Sequence, residues 1–217
     1  TVLQVAEPGF PGMGALEHAS SELAIVGTEY LDAAFVPSIH AHELVHAWNV
    51  KRLRPADLFP YRYDAAQPTT WLWMSEGVTD YYADLAQVRG GVTDEATFLA
   101  TVLGKIDGVE QRPATALEDA SLQAWLSMTD GTADLYYDKG SLAGLALDIV
   151  IRDASDNARS LDDVMRELWE VSWKRGRGFT YDEFWNAATR AAAGRALRDF
   201  ERRYIDEVGA MNIAFVA

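Results

Sequence analysis

Two histidines four positions apart, with a glutamate directly after the first, stand out in this chain: His42-Glu43-Leu44-Val45-His46. On a helix, positions i and i+4 project from one face, so both imidazoles can reach a single ion. Zinc takes such nitrogens at about 2.0–2.1 Å, and a catalytic zinc uses three protein ligands and keeps one position for water. Glu43 would lie beside that water and could take the proton that the metal loosens. The chain has no cysteine, which removes thiolate zinc sites, iron–sulfur clusters, disulfides and cysteine nucleophiles together.

A third ligand is required, and Glu76 is the candidate, in Trp71-Leu72-Trp73-Met74-Ser75-Glu76-Gly77. A lone carboxylate in so apolar a stretch is expensive to bury unless something pairs with it, and one zinc ion would do so. Asp80 stands one helical turn further on. Metal-bound histidines commonly donate their second N–H to a carboxylate, so Asp80 is a candidate orienter of His42 or His46. His40, two positions before the motif, should face away from the ion and serve the structure.

Helices must position these groups. The spacing predicts one over Val36 to Leu53, stopped by Pro55, and a second over Trp71 to Val88, ended by Gly90-Gly91. A third spans 94–108, and a mixed stretch with Pro113 follows. Tyr136 to Asp153 reads as another apolar helix. Ser160 with Asp163 and Thr180 with Glu183 fit the capping-box pattern and so mark two more helix starts. A last helix is expected over Ala196 to Val208. Residues 1–30 are rich in glycine and proline and read as a loop with one short edge strand at Leu23-Ala24-Ile25-Val26. Lys51, Arg52 and Arg54 fall at a predicted helix C-terminus, where positive charge offsets the helix dipole. The expectation is a single mainly α domain, helical over 31–217, with a small β element at its start.

Composition narrows the partners. Nineteen basic against 33 acidic residues give a net charge of −14. That is the reverse of a nucleic-acid binder's footprint and disfavours anionic membrane surfaces. No window approaches the roughly 18 apolar residues needed to cross a bilayer. Thr1 opens neither a signal peptide nor a start at methionine, so the chain reads as a piece of a longer one. A soluble bacterial-type protein of the cytoplasm or periplasm is expected.

Three segments together, HELVHAWNVKRLRP, LWMSEGVTDYY and YYDKG, resemble the glycyl aminopeptidase family of gluzincin zinc peptidases. The resemblance runs from Gly14 to about Arg152. It implies a thermolysin-like catalytic domain holding one Zn2+ on His42, His46 and Glu76, with Glu43 as general base and a peptide as substrate. The 29 residues between His46 and Glu76 are also similar to this family. It further implies that Gly14-Ala15-Leu16-Glu17-His18 is the substrate motif. An extended strand there could pair with the substrate backbone, and Glu17 could hold its free α-ammonium. Ala15 stands where the family usually has glycine, and its methyl restricts the backbone and crowds the site. Tyr137, two residues before Lys139-Gly140, resembles the tyrosine that stabilises the oxyanion, with Tyr136 its competitor. The family's N-terminal β-rich domain and C-terminal PDZ domain are not in this sequence. The activity implied is an aminopeptidase favouring small residues such as Gly or Ala. An endopeptidase of the same fold and an inactive peptide-binding module are the alternatives.

Overall fold

The computed structural model describes residues 1–126, 131–132 and 134–208. Three strands open the chain: β1 (Val2–Glu7), β2 (Met13–Glu17) and β3 (Glu22–Gly27). β3 lies in the middle, parallel to β1 and antiparallel to β2. The sequence points to one strand, at the edge; it is the central one, because only β3 has the buried alternation (Ala24, Val26) that reads as strand without partners. β1 is exposed along its whole length, so its pairing depends on β3 and leaves little local signal. β2 is an edge strand and packs beside α1 (Phe35–His46).

The rest of the described chain is mainly helical, as expected, with a loop between His46 and Trp73; the part of the expected helical span over 209–217 lies outside the described residues. A wide π turn (Trp73–Gly77) runs into α2 (Val78–Arg89), which ends at Gly90 and Gly91, the latter at φ +69°. Then come α3 (Glu95–Glu110), α4 (Leu117–Leu126), α5 (Leu135–Ala154), α6 (Leu161–Val171), α7 (Tyr181–Ala191) and α8 (Arg198–Glu201), the last continuing as a second π turn (Arg202–Asp206). Both capping boxes form: Asp163 Oδ2 accepts from Ser160 N at 2.9 Å, and Glu183 Oε2 accepts from Thr180 N at 2.9 Å.

α5 is the spine. Leu142, Leu147 and Ile151 are fully buried along it, each stabilising the fold by about 1.5–3 kcal/mol. The π turn, α2, α3 and α4 pack around it, and α6 and α7 pack on each other. Trp71, Trp73, Phe179 and Phe184 form an aromatic cluster that fixes the entry to the π turn.

Three boundaries differ from the sequence reading. The helix expected to reach Leu53 ends at His46, because the carbonyl of Asn49 is drawn back to the His46 ring and the chain turns through Lys51 and Leu53. α4 was not anticipated after Pro113. Its Leu117 and Ala120 face the core, and Ser121 Oγ accepts from Trp73 N at 3.1 Å, satisfying an amide at the start of the π turn. The last helix begins at Arg198 and changes to π geometry after one turn. No helix among the described residues is long and apolar enough to cross a membrane.

Candidate metal centre

α1 carries His42, Glu43 and His46, and the π turn carries Glu76. The wide turn brings the Glu76 carboxylate against the histidine face of α1: its Oε2 lies 3.2 Å from both His42 Nε2 and His46 Nε2. The two Nε2 atoms are 2.9 Å apart. Among the described residues this trio is the only His/Asp/Glu group that converges closely enough to hold a metal.

The other ring nitrogens decide what this convergence means. His46 Nδ1 lies 2.6 Å from the carbonyl of Asn49, which can only accept, so that nitrogen carries the proton. His42 Nδ1 lies 3.1 Å from Asp80 Oδ1 and donates to it. When both rings are neutral, each therefore turns an Nε2 lone pair toward the other, beside a carboxylate oxygen. Three electron-rich atoms so placed need a cation or a proton among them. Ligands about 2.0–2.1 Å from a tetrahedral zinc stand about 3.3 Å apart, so with separations of 2.9 and 3.2 Å the donor set fits such an ion after spreading by a few tenths of an ångström at most.

The protonation states carry the same message. Burial pulls the His42 pKa down, but the hydrogen bonds to Asp80 and Glu76 outweigh it and hold the pKa up at about 10. In the absence of a metal, a proton takes the cation's place. Burial would raise Glu76, yet its bonds to His42 and His46 keep it ionised far below the usual carboxylate range. Burial raises the Glu43 carboxyl, against the pull of the two histidines, and Glu43 Oε2 is buried without a hydrogen-bond partner. It therefore keeps an unspent acceptor beside the histidines.

α5 crosses the π turn at two glycines. A Cβ on Gly77 would stand 2.5 Å from Gly140 Cα, and one on Gly140 would stand 2.6 Å from the Trp73 carbonyl. Only this close approach sets the tyrosines at the start of α5 against the site. The Tyr137 ring centroid lies 5.7 Å from that of His42, and burial together with a hydrogen bond to Glu76 pushes its phenol far above the ordinary range. Tyr136 bonds to Tyr137, and burial raises it to about 12. Tyr137 is thus the nearer of the two, and its phenol stays protonated.

The remaining expected residues are on hand. Asp80 meets His42 and leaves His46 to Asn49. His40 bonds Glu22 and, at 2.6 Å, Gln4, which ties α1 to the sheet, as its structural reading required. On β2 the alternation places Ala15 and Glu17 half-buried on one face, while Gly14 and Leu16 are exposed, so the last two can offer only backbone. Arg52 caps the end of α1 by bonding the Ala47 carbonyl. Lys51 does not. Its Nζ lies 2.9 Å from Glu17 Oε1, an ion pair across 33 residues that no local pattern announces. Asn49, Gly77, Gly140 and Lys105 are further residues of the site that sequence spacing missed. The two glycines stand inside the LWMSEGVTDYY and YYDKG segments, where only their close packing gives them a role.

The family model described as M61 glycyl aminopeptidase matches residues 36–143, the stretch that carries His42, Glu43, His46, Glu76, Asp80 and Tyr137. Among solved structures, the aminopeptidase N family protein from Idiomarina loihiensis is similar, with a TM-score of 0.85 and 26% identity over 99% of this chain. This chain spans only 39% of that one. Among curated proteins nothing matches. The chain belongs to the M61 glycyl aminopeptidase family.

Proposed function

We propose that this chain is the catalytic domain of a zinc-dependent aminopeptidase with a thermolysin-like site. His42, His46 and Glu76 are its metal ligands. The observation that carries the reading is the convergence of His42 Nε2 and His46 Nε2, 2.9 Å apart, on the Glu76 carboxylate. A zinc ion bound there supplies a Lewis acid that polarises the scissile carbonyl and makes a neighbouring water acidic.

The chain's own groups do the rest. Glu43 takes the proton of the attacking water and passes it to the leaving amine; its free, desolvated Oε2 is suited to both transfers. Tyr137, kept protonated, donates to the oxygen on which negative charge develops, a contribution of about 3–4 kcal/mol at other oxyanion holes. The open edge of β2 pairs with the substrate backbone through Gly14, Ala15 and Leu16. Glu17, near enough for its charge to raise the Glu43 carboxyl, receives the substrate's α-ammonium and sets cleavage at the first peptide bond. The Ala15 methyl narrows that end of the cleft and favours small first residues such as Gly or Ala. Flanking β-rich and PDZ domains, in the longer protein, would complete the cleft.

One observation favours a second reading. The Glu17 carboxylate is already neutralised by Lys51. If that pair never opens to a substrate amine, the same machinery is an endopeptidase. Three measurements test both. Zinc content after purification, and loss of activity on chelation, test the metal. Glu43→Gln should keep the metal and lose hydrolysis. Cleavage of an aminoacyl reporter but not of its N-acetylated form marks the aminopeptidase; equal cleavage of both marks the endopeptidase.

A further inference from the structure

α3 carries none of the motifs that define the site, and its one buried residue is a lysine. Burying an ammonium without partners costs several kcal/mol, so its surroundings must repay it. Lys105 Nζ has three N–H donors and meets three acceptors: Asp80 Oδ2 at 2.7 Å, Asp84 Oδ2 at 2.6 Å and Ser141 Oγ at 2.9 Å. Asp80 and Asp84 lie one turn apart on α2, and Ser141 lies one turn after Tyr137 on α5. The lysine therefore pins three helices at one point.

Asp80 is divided between two tasks. Its Oδ1 accepts from His42, and its Oδ2 is held by Lys105. A carboxylate bound at both oxygens cannot rotate about its Cβ–Cγ bond, so Oδ1 is fixed in the direction of the His42 ring. We propose that Lys105 is a positioning residue for the metal: through Asp80 it locks the ring of His42 with Nε2 aimed at the ion. The inference rests on the zinc reading above and adds to it a residue remote from the ligands. Asp84 and Ser141 hold the lysine in turn; neither touches a ligand.

Zinc affinity, measured on the whole chain by competition with a coloured chelator, tests this without any activity assay. Lys105→Met alone would strand Asp84 as a buried unpaired carboxylate, so the working variant is Lys105→Met with Asp84→Asn. We expect it to hold zinc about 10–100-fold more weakly than the parent, the usual effect of removing an outer partner of a ligand. Asp80→Asn should weaken binding similarly, and adding the Lys105 and Asp84 changes to it should cost little more, because the lysine acts through that carboxylate. Ser141→Ala, a neutral change, should give a smaller loss in the same direction and serves if the charge variants fold poorly. Parental zinc affinity in both Lys105→Met/Asp84→Asn and Ser141→Ala overturns the inference. So does a loss that adds in full to that of Asp80→Asn. A parent chain that takes up no zinc overturns the zinc reading itself, and this inference with it.

Discussion

Glu17 on β2 and Lys51 beyond the end of α1 form an ion pair of 2.9 Å, with both side chains largely withdrawn from solvent. The carboxylate proposed to receive a substrate's α-ammonium is thus occupied by an ammonium of the protein's own. Lys51 also lies 5.1 Å over the ring of Tyr61, so it has a second place to rest when displaced. Substrate amine and lysine compete for one anion. Lys51→Met should therefore lower KM for an aminoacyl reporter about fivefold, the equivalent of about 1 kcal/mol, with kcat little changed. Glu17→Gln should raise KM and remove the discrimination against N-acetylated substrate. Steady-state kinetics on both reporters checks the pair.

The two tyrosines at the head of α5 should behave differently. Tyr137→Phe is expected to reduce kcat about 10²–10³-fold with KM nearly unchanged, because its hydrogen bond strengthens only as charge develops. Tyr136→Phe, whose ring supports Tyr137 at a centroid separation of 4.8 Å, should cost less than tenfold. Parallel kcat measurements decide which phenol serves the oxyanion.

Gly77 and Gly140 should tolerate no side chain. An added methyl at either meets backbone at 2.5–2.6 Å, and overpacking of this kind costs about 1–3 kcal/mol. For a chain of this size that corresponds to a fall in Tm of about 2–4 °C per kcal/mol. Gly140→Ala should also lower kcat, since pushing α5 away from the π turn carries Tyr137 away from Glu76. Thermal unfolding and kinetics should report the two effects together.

Metal-free protein should lose stability in alkali. The folded pKa of His42, about 10, exceeds its unfolded value of 6.5, so the proton's contribution is complete below 6.5 and vanishes as pH rises through 10. Glu76 acts with the opposite sign: its depressed folded pKa stabilises above its ordinary 4.5 and is lost as the solution becomes strongly acid. The apo Tm should fall by several degrees between pH 7 and pH 10. The zinc-loaded protein, in which the cation replaces that proton, should show a much smaller change. Scanning calorimetry on both forms across this range checks it.

Residues whose meaning is local were readable in the sequence. His42 and His46 follow from helical spacing, Glu76 from an anion among tryptophans, and the starts of α6 and α7 from their capping boxes. Groups whose role depends on distant partners were not. Lys105 reads as a lysine on a helix; its burial is decided by carboxylates 25 and 21 residues earlier and a hydroxyl 36 residues later. The early end of α1 has the same origin, because the claim of the His46 ring on the Asn49 carbonyl overrides a helical pattern that continues past it. β1 is legible only once β3 is in place beside it.

Asn49 is 1% exposed, and its side-chain amide donates to the Met74 carbonyl at 2.8 Å and to Thr79 Oγ1 at 3.0 Å. It staples the segment after α1 to both the π turn and α2, so the two stretches of chain that bear the ligands are joined by the polypeptide itself. The cradle therefore exists before anything enters it. On the zinc reading, loading would be docking into a socket that the chain's own hydrogen bonds hold, so stripping the ion should leave the fold in place for refilling, rather than unfold it as it does a small metal-dependent domain.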